Sequence, residues 1–392
     1  MEDVVIVAAA RTAIGDFGGA FRDMLPHQLA VPVIQEVLKR AGITGDMVDE
    51  VILGNCAQRT DEPNVARTAA LVAGLPVQVT GMTIQRQCSS GMQAIVSAYQ
   101  QILTGDAEIV VAGGTECMSS VPYVLKNARW GLRLQHGEMT DALWEMLTDP
   151  IHHILMGETA ERLADKYGIT REEQDEIALR SHRNAVRAIE EGRFQEEIVP
   201  VAVPRRKGPP QVVDRDEHPR PDVTMEKLAG LKPTFRKNGT VTAGNASGLN
   251  DGAAAVVVMP ASKARELGIK PLARIVSHAR AGVEPDLMGY GPVPAIKKAL
   301  KRAGLTLGDI QLIELNEAFA AQYLACEKLL GLNREITNVN GSGVGLGHPV
   351  GCTGARIVVT LLYEMARRNL RLGLASLCVG GGMGMAMVLE RV

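Results

Sequence analysis

A duplicated segment constrains this chain more than any figure of its composition. Residues 38–55 read LKRAGITGDMVDEVILGN, and residues 300–316 read LKRAGLTLGDIQLIELN. Each copy predicts a helix that stops on glycine, a turn, and a strand closing on asparagine. After the first copy comes CSSGMQAIVSAYQQIL from Cys88, then a predicted strand AEIVVAGG ending at Gly113 and Gly114. After the second comes CTGARIVVTLLYEM from Cys352, then LASLCVGG ending at Gly380 and Gly381. Four landmarks in the same order predict two copies of one βα-rich unit, each a sheet with helices packed from either side. With 392 residues, 46% of them hydrophobic, the chain has the apolar content for so large a core.

Between the copies the character changes. Thr170 to Gly192 opens with a TxxE capping signal and closes on glycine, which predicts one long helix. VPRRKGPP and DRDEHPRPD follow, rich in proline and charge, and read as surface loop. The expected division is therefore residues 1–118 with 249–270 as the first half, 119–248 as an insertion covering a site, and 271–392 as the second half. The insertion carries Arg205, Arg206, Lys207, Arg220, Lys232, Arg236 and Lys237, cations able to meet phosphates, although a solvated charged face is the commoner role for any one of them.

Several functional classes fall away. A net charge of -2 supplies no basic field for nucleic acid, and no apolar run reaches the roughly 18 residues that a membrane-spanning helix requires. MEDVVIVAAARTAIGDFGG lacks a basic leader region, so the expected location is the cytoplasm. Six cysteines are scattered without a CxxC pair, as suits thiols in a reducing compartment.

Chemistry concentrates in four places. Cys88 ends a polar run and begins an apolar-periodic helix through Ser89, Ser90 and Gly91. Open first-turn amides and the helix dipole there predict a sulfur that ionises readily and a receptor for a thioester oxygen; the plain alternative is an ordinary half-buried cysteine. Asn316, in LNEAFAA, joins a strand to a helix, where asparagine most often serves as a cap. NVNGSGVGLGHPVGCTGAR, residues 338–356, is glycine-rich but fits neither the GxGxxG nor the P-loop spacing, which leaves dinucleotide binding a weak alternative. Its His348 precedes proline, so its backbone is held away from helix and its ring can point into a cleft. Cys378 precedes Gly380, Gly381 and Gly382 at a strand end, where a substrate can run close to the main chain.

Taken together, CSSG at 88–91, GGTECMS at 113–119, MGETAE at 156–161, TAGNASGLNDGAA at 242–254, NEAF at 316–319, GHPVGCTGAR at 347–356 and CVGGGMG at 378–384 resemble the thiolase family along essentially the whole chain. The resemblance implies an α/β thiolase fold, in which two repeated βαβαβαββ halves form five αβαβα layers with an inserted loop domain, assembled as a homotetramer, a dimer of dimers. It implies an acyltransferase that condenses two acetyl-CoA to acetoacetyl-CoA and CoA, or cleaves 3-ketoacyl-CoA, with coenzyme A as substrate or product and no tightly bound cofactor or metal. By the same resemblance Cys88 carries the acyl group, His348 is its base, and Cys378 moves the α-proton. Asn316 holds a water that, with His348, receives the enolate oxygen, while the amides of Cys88 and Gly380 receive the tetrahedral oxyanion. Ser247 and Ala243 are implied at the pantetheine, Leu147 and Met156 at its apolar wall, Arg220 at the ADP phosphates and Phe235 near the adenine; Met288, Ala318 and Phe319 border the acyl group.

The chain departs from the family pattern in places. Ser342 and Val344 replace smaller or different residues of NGGAIALGHP, Ser89 replaces a commoner glycine, and Lys227 stands where a small hydroxyl residue often meets the nucleotide. Leu155 takes the place of a histidine common in short-chain biosynthetic members, which favours the alternative of a degradative thiolase acting on longer 3-ketoacyl chains. A decarboxylating ketosynthase needs a second histidine where this chain has Cys378, and a comparison of malonyl with acetyl thioesters separates the two. A non-catalytic CoA-binding scaffold has no need of Cys88, Asn316, His348 and Cys378 together.

Overall fold

A computed structural model describes residues 2–392. Nine main strands run β1 (Val4–Thr12), β2 (Glu50–Gly54), β3 (Thr80–Ile84), β4 (Val110–Cys117), β5 (Asn250–Pro260), β6 (Ala273–Gly282), β7 (Leu312–Leu315), β8 (Leu372–Val379) and β9 (Met383–Arg391). The helices that cover them are α1 (Pro26–Ala41), α2 (Val65–Val72), α3 (Ser90–Thr104), α4 (Met156–Tyr167), α5 (Arg171–Glu190), α6 (Pro292–Ala303), α7 (Ala320–Leu330) and α8 (Val350–Arg367).

The pairing order is β7-β8-β9-β6-β1-β5-β4-β2-β3, and it reads as the same sheet twice. In the first half β1 pairs antiparallel with β5, β5 antiparallel with β4, and β4 and β3 both parallel with β2. In the second, β6 pairs antiparallel with β9, β9 antiparallel with β8, and β8 parallel with β7, beyond which Ile313 forms a parallel bridge with Thr337. The halves join where β1 meets β6 antiparallel, at Val5 with Arg274 and Ile6 with Ala273. The glycine stops of the repeat hold, since Gly42 and Gly304 end α1 and α6 with φ of 66° and 67°.

Alternation along the strands sorts their side chains into three cores. On β5, Ala253, Ala255, Val257 and Met259 face α1 and α2, while Ala254, Val256 and Val258 face α3 and α8. On β8, Ala375 and Leu377 join the same α3 and α8 core, while Leu374 and Cys378 face a third core built with α6 and α7. Helix, sheet, helix, sheet, helix is the resulting stack. Both faces of each sheet are covered, which explains strands that are apolar throughout. Helix α8 lies in the middle layer and is buried on all sides, as its run VGCTGARIVVTLL requires.

Two expectations of the repeat need correction. Gly113 and Gly114 lie inside β4, which continues to Cys117, so they do not correspond to Gly380 and Gly381 beyond β8. Gly54 pairs with Gly114 and Leu315 with Ser376, so Gly114 corresponds to Ser376. Nor does Cys88 correspond to Cys352. Helices α3 and α8 cross through glycines: a methyl on Gly91 would lie 2.8 Å from Ala355 N, and one on Gly354 would lie 2.5 Å from Met92 N. That symmetric crossing matches Gly91 to Gly354, which places Cys88 opposite Gly351; glycine runs obscured a one-residue shift.

The segment between β4 and β5 contributes α4, α5, a short hairpin of Val201–Val203 with Gln211–Val213, and long loops. Helix α5 begins as predicted, with Thr170 and Glu173 in a reciprocal capping box. No helix among the described residues is long and apolar enough to cross a membrane.

Candidate active site

Cys88 lies in the connection from β3 to α3, one residue before the helix cap Ser89. Gln87 ahead of it holds φ at 46°, a left-handed conformation uncommon outside glycine. Two of the amides expected to be open here are occupied, as Ser89 N donates to Arg86 O at 3.1 Å and Ser90 N to Gln87 O at 3.0 Å. The backbone N–H groups of Gly380, from the other half, and of Cys88 itself favour the charged form of this sulfur. Burial outweighs both donors and pushes the thiol above its ordinary value, so the expected easy ionisation is corrected too. At rest Cys88 is a neutral thiol.

His348 follows the turn that precedes α8 and is 5% exposed. Its backbone N–H donates to Asn250 Oδ1 at 2.8 Å, and its ring Nδ1 lies 2.6 Å from Thr353 Oγ1. Thr353 Oγ1 also lies 2.9 Å from Pro349 O, where the carbonyl can only accept. A hydroxyl has one proton, so Nδ1–H of the histidine donates to Thr353 and Nε2 is left as the free lone pair. Burial, with Arg356 nearby, lowers the imidazole to about 3 and keeps it neutral.

Cys378, the last residue but one of β8, is fully buried. Burial pushes its thiol well above the ordinary range, and charge on Cys88 would raise it further. Asn316 follows β7 and caps nothing, since α7 opens later on Phe319. Its backbone N–H donates to Ser376 O at 2.9 Å, yet its fully buried Nδ2 and Oδ1 have no protein partner. A buried amide left open on both sides is costly unless something else meets it, as a bound water or substrate oxygen would.

The remaining expected residues divide. Met156 N donates to Leu147 O at 2.9 Å, and Leu147 packs in the apolar cluster that reaches Cys88. A methyl on Gly380 would lie 3.6 Å from Met156 Sδ, so the pair walls the same cleft. Ser247 N donates to Ala318 O at 2.9 Å. Phe319 meets Phe235 edge to face with centroids 6.1 Å apart, and Met288, Ala318 and Phe319 share the core of Cys378. Ala243 and Arg220 stand apart. Ala243 is exposed in the turn closed by Thr242 N and Asn245 Oδ1, and the exposed Arg220 is tied through its amide to His182 Nδ1 at 3.3 Å. Lys227 turns back to Asp222. Among the described residues no group of His, Cys, Asp or Glu side chains is placed to hold a metal.

Three supporting residues escaped the sequence reading. Thr353 lies one turn beyond His348 on α8, a spacing that could have flagged it. Asn250 lies within the quoted TAGNASGLNDGAA, but nothing local shows that it reaches His348. Glu116, in GGTE, is fully buried and accepts from Cys56 N at 2.9 Å, Ala57 N at 3.1 Å, Gly351 N at 2.8 Å and Asn55 Nδ2 at 2.7 Å. It thereby ties the start of α8 to the loop after β2. Burial pushes its carboxyl up to about 7 while those donors pull it back.

Comparison with known proteins bears on this site. The chain is 53% identical over 392 residues to the acetyl-CoA acetyltransferase of Pseudomonas aeruginosa, covering 100% of both. The crystal structure of the Bacillus anthracis acetyl-CoA acetyltransferase superposes with a TM-score of 0.99 at 63% identity, covering 100% of this chain and 99% of the other. Human mitochondrial 3-ketoacyl-CoA thiolase in complex with CoA does so with 0.96 at 42% identity, covering 100% and 98%. The thiolase N-terminal domain model matches residues 4–262 and the C-terminal domain model residues 269–391, so the chain belongs to the thiolase family.

Proposed function

We infer that this protein is an acyltransferase that reversibly condenses two acetyl-CoA to acetoacetyl-CoA and CoA through an acyl-enzyme on Cys88. The observation that carries the reading is the approach of Gly380 to the residue before Cys88, where a methyl on Gly380 would lie 3.7 Å from Gln87 Cγ, which brings the end of β8, with Cys378, toward the nucleophile. The names of the relatives support the substrate class.

The resting protonation states define the sequence of steps. Cys88 Sγ attacks the thioester carbonyl and gives its proton to His348 Nε2, while the amides of Cys88 and Gly380 receive the oxyanion. CoA departs with the proton of Cys378, leaving a Cys378 thiolate beside an imidazolium. That thiolate takes the α-proton of a second acetyl-CoA, whose enolate oxygen is met by His348 Nε2–H and by a water on the open amide of Asn316. The enolate carbon attacks the acyl carbon on Cys88; the Cys88 sulfur leaves and recovers its proton from Nε2. The Cys88 proton returns to its sulfur, and Cys378 ends protonated by the α-proton that replaces the one lost with CoA. Burial supports the scheme: both thiols are held protonated and the ring neutral until substrate arrives.

Ser247 with Ala318, and Leu147 with Met156, flank the path for the pantetheine, and Phe235 and Phe319 border it. Arg220 and Ala243 are assigned to CoA on motif position. Leu155 and the human thiolase with CoA favour a second reading, 3-ketoacyl-CoA of longer chain in fatty acid degradation. For assembly as a dimer of dimers, the support is the exposed apolar run that includes Leu125, Trp130, Leu132, Leu134 and Met139, and the unpaired outer side of β3. Six free thiols support a reducing, cytoplasmic setting.

Incubation with labelled acetyl-CoA, followed by quenching and peptide mapping, tests the central claim. Label is expected on Cys88 and absent from Cys88→Ala; label on the alanine variant refutes the assignment. Ranking kcat/KM over 3-ketoacyl-CoA of increasing length then separates the two substrate readings.

A further inference from the structure

One side chain of the inserted segment reaches both reacting motifs, and the chemistry above leaves it unused. Ser181, midway along α5, is fully buried. Its Oγ donates to Glu317 Oε2 at 2.5 Å and accepts from Ser342 N at 3.1 Å and Gly345 N at 2.9 Å. One proton and two lone pairs are the whole capacity of a hydroxyl, and all are used.

Its partners border Asn316. Glu317 is the next residue, and its other oxygen accepts from Asn338 Nδ2 at 2.8 Å. Ser342 and Gly345 bracket Gly343, where an added methyl would lie 2.8 Å from Asn316 Oδ1 and 2.4 Å from Glu317 O. The turn 342–345 is thus the wall against which the Asn316 amide rests. Helix α5 is seated closely on that turn, since a methyl on Gly345 would come within 2.5 Å of the Ser181 main chain.

Asn316 and His348 differ in what holds them. The imidazole has its own bonds to Asn250 and Thr353, whereas the Asn316 side chain has no protein partner and takes its orientation from its neighbours. We propose that Ser181 is a positioning residue for carbon–carbon bond formation: its hydroxyl clamps Glu317 to the turn 342–345 and so sets the Asn316 amide against the enolate oxygen, while the acylation of Cys88 proceeds without it. This rests on the thiolase reading of Asn316.

The test compares two half-reactions in Ser181→Ala, using acetyl-CoA as the probe. Condensation kcat is expected to fall about 10- to 100-fold, as displacement of a positioned group by up to an ångström does, with KM and the single-turnover rate of Cys88 acetylation within about threefold of wild type. Ser181→Thr, which keeps the hydroxyl, restores kcat to within about threefold. An unchanged kcat, an equal loss in both half-reactions, or a threonine as poor as alanine overturns the proposal. Should the alanine variant not fold, Glu317→Gln, nearly identical in shape, replaces it; the same split supports the clamp, and equal or absent loss overturns it. Wild-type protein that leaves Cys88 unlabelled refutes the underlying reading instead, before any variant is made.

Discussion

Thr353→Val isolates the bond that sets the imidazole of His348. Valine keeps the shape of threonine and removes the acceptor 2.6 Å from Nδ1. In the resting enzyme the lost bond joins neutral groups, but once Nε2 takes the thiol proton the ring is cationic and Nδ1–H becomes a charged donor. A hydrogen bond of that kind contributes ~1.5–3 kcal/mol against ~0.5–1.5 kcal/mol for the neutral one, so the barrier rises by the difference of ~1–1.5 kcal/mol and the acetylation of Cys88 should slow about 5- to 15-fold. The folded state should lose ~1–3 kcal/mol as well, because a buried ring N–H is left without a partner. Rapid-quench measurement of labelled acetate on Cys88 in a single turnover reads the rate directly, and denaturant titration reads the stability. Thr353→Ser retains the oxygen and should acetylate within about threefold of wild type. A valine variant acetylating within twofold of wild type would refute the reasoning, since the ring would then owe neither its tautomer nor its cation to the hydroxyl.

The pH dependence follows from the same burial. With His348 lowered to about 3 and the Cys88 thiol raised, the acetylation rate should be flat from pH 5 to 8, and an inflection near 6.5 would show a solvated imidazole. Because the folded pKa of His348 lies below its unfolded value, the ring contributes stability above about pH 6.5 that is lost as pH falls toward 3; His348→Asn should make the acid slope of the denaturation midpoint shallower, and an unchanged slope contradicts the assignment. Gly354→Ala places a methyl 2.5 Å from Met92 N and should cost ~1–3 kcal/mol as overpacking, whereas an unaltered melting temperature would mean that α3 and α8 can move apart. Replacing Trp130 and Leu134, exposed 89% and 88%, with serine should yield a smaller assembly by light scattering without loss of acetylation by the remaining species; an unchanged mass would remove this loop from the interface.

Legibility differed with the range of the interactions. The glycine stops at Gly42 and Gly304 and the capping box at Thr170 depend on neighbouring residues, and they were readable. The ionisation of Cys88 is not legible locally, because desolvation decides it and the Ser89 and Ser90 amides beside it are bound within their own turn. Register failed for a related reason: Gly113, Gly114, Gly380 and Gly381 look alike in sequence, and only strand pairing shows that Ser376 is the counterpart of Gly114. The order of the motifs gave the right fold, but the residues bonded to His348 from Asn250 and Thr353 carry no local mark of that role.

The doubled sheet has a consequence for where the chemistry can reside. Asn55 and Asn316 end equivalent strands, yet Asn55 donates to Thr115 O at 3.1 Å and Glu116 Oε1 at 2.7 Å, while the side chain of Asn316 is free. One twin has become a rivet and the other a tool. A perfectly symmetric pair of halves would present two equal clefts; here Cys88 lies in the first and Asn316, His348 and Cys378 in the second, so neither half alone holds all four side chains.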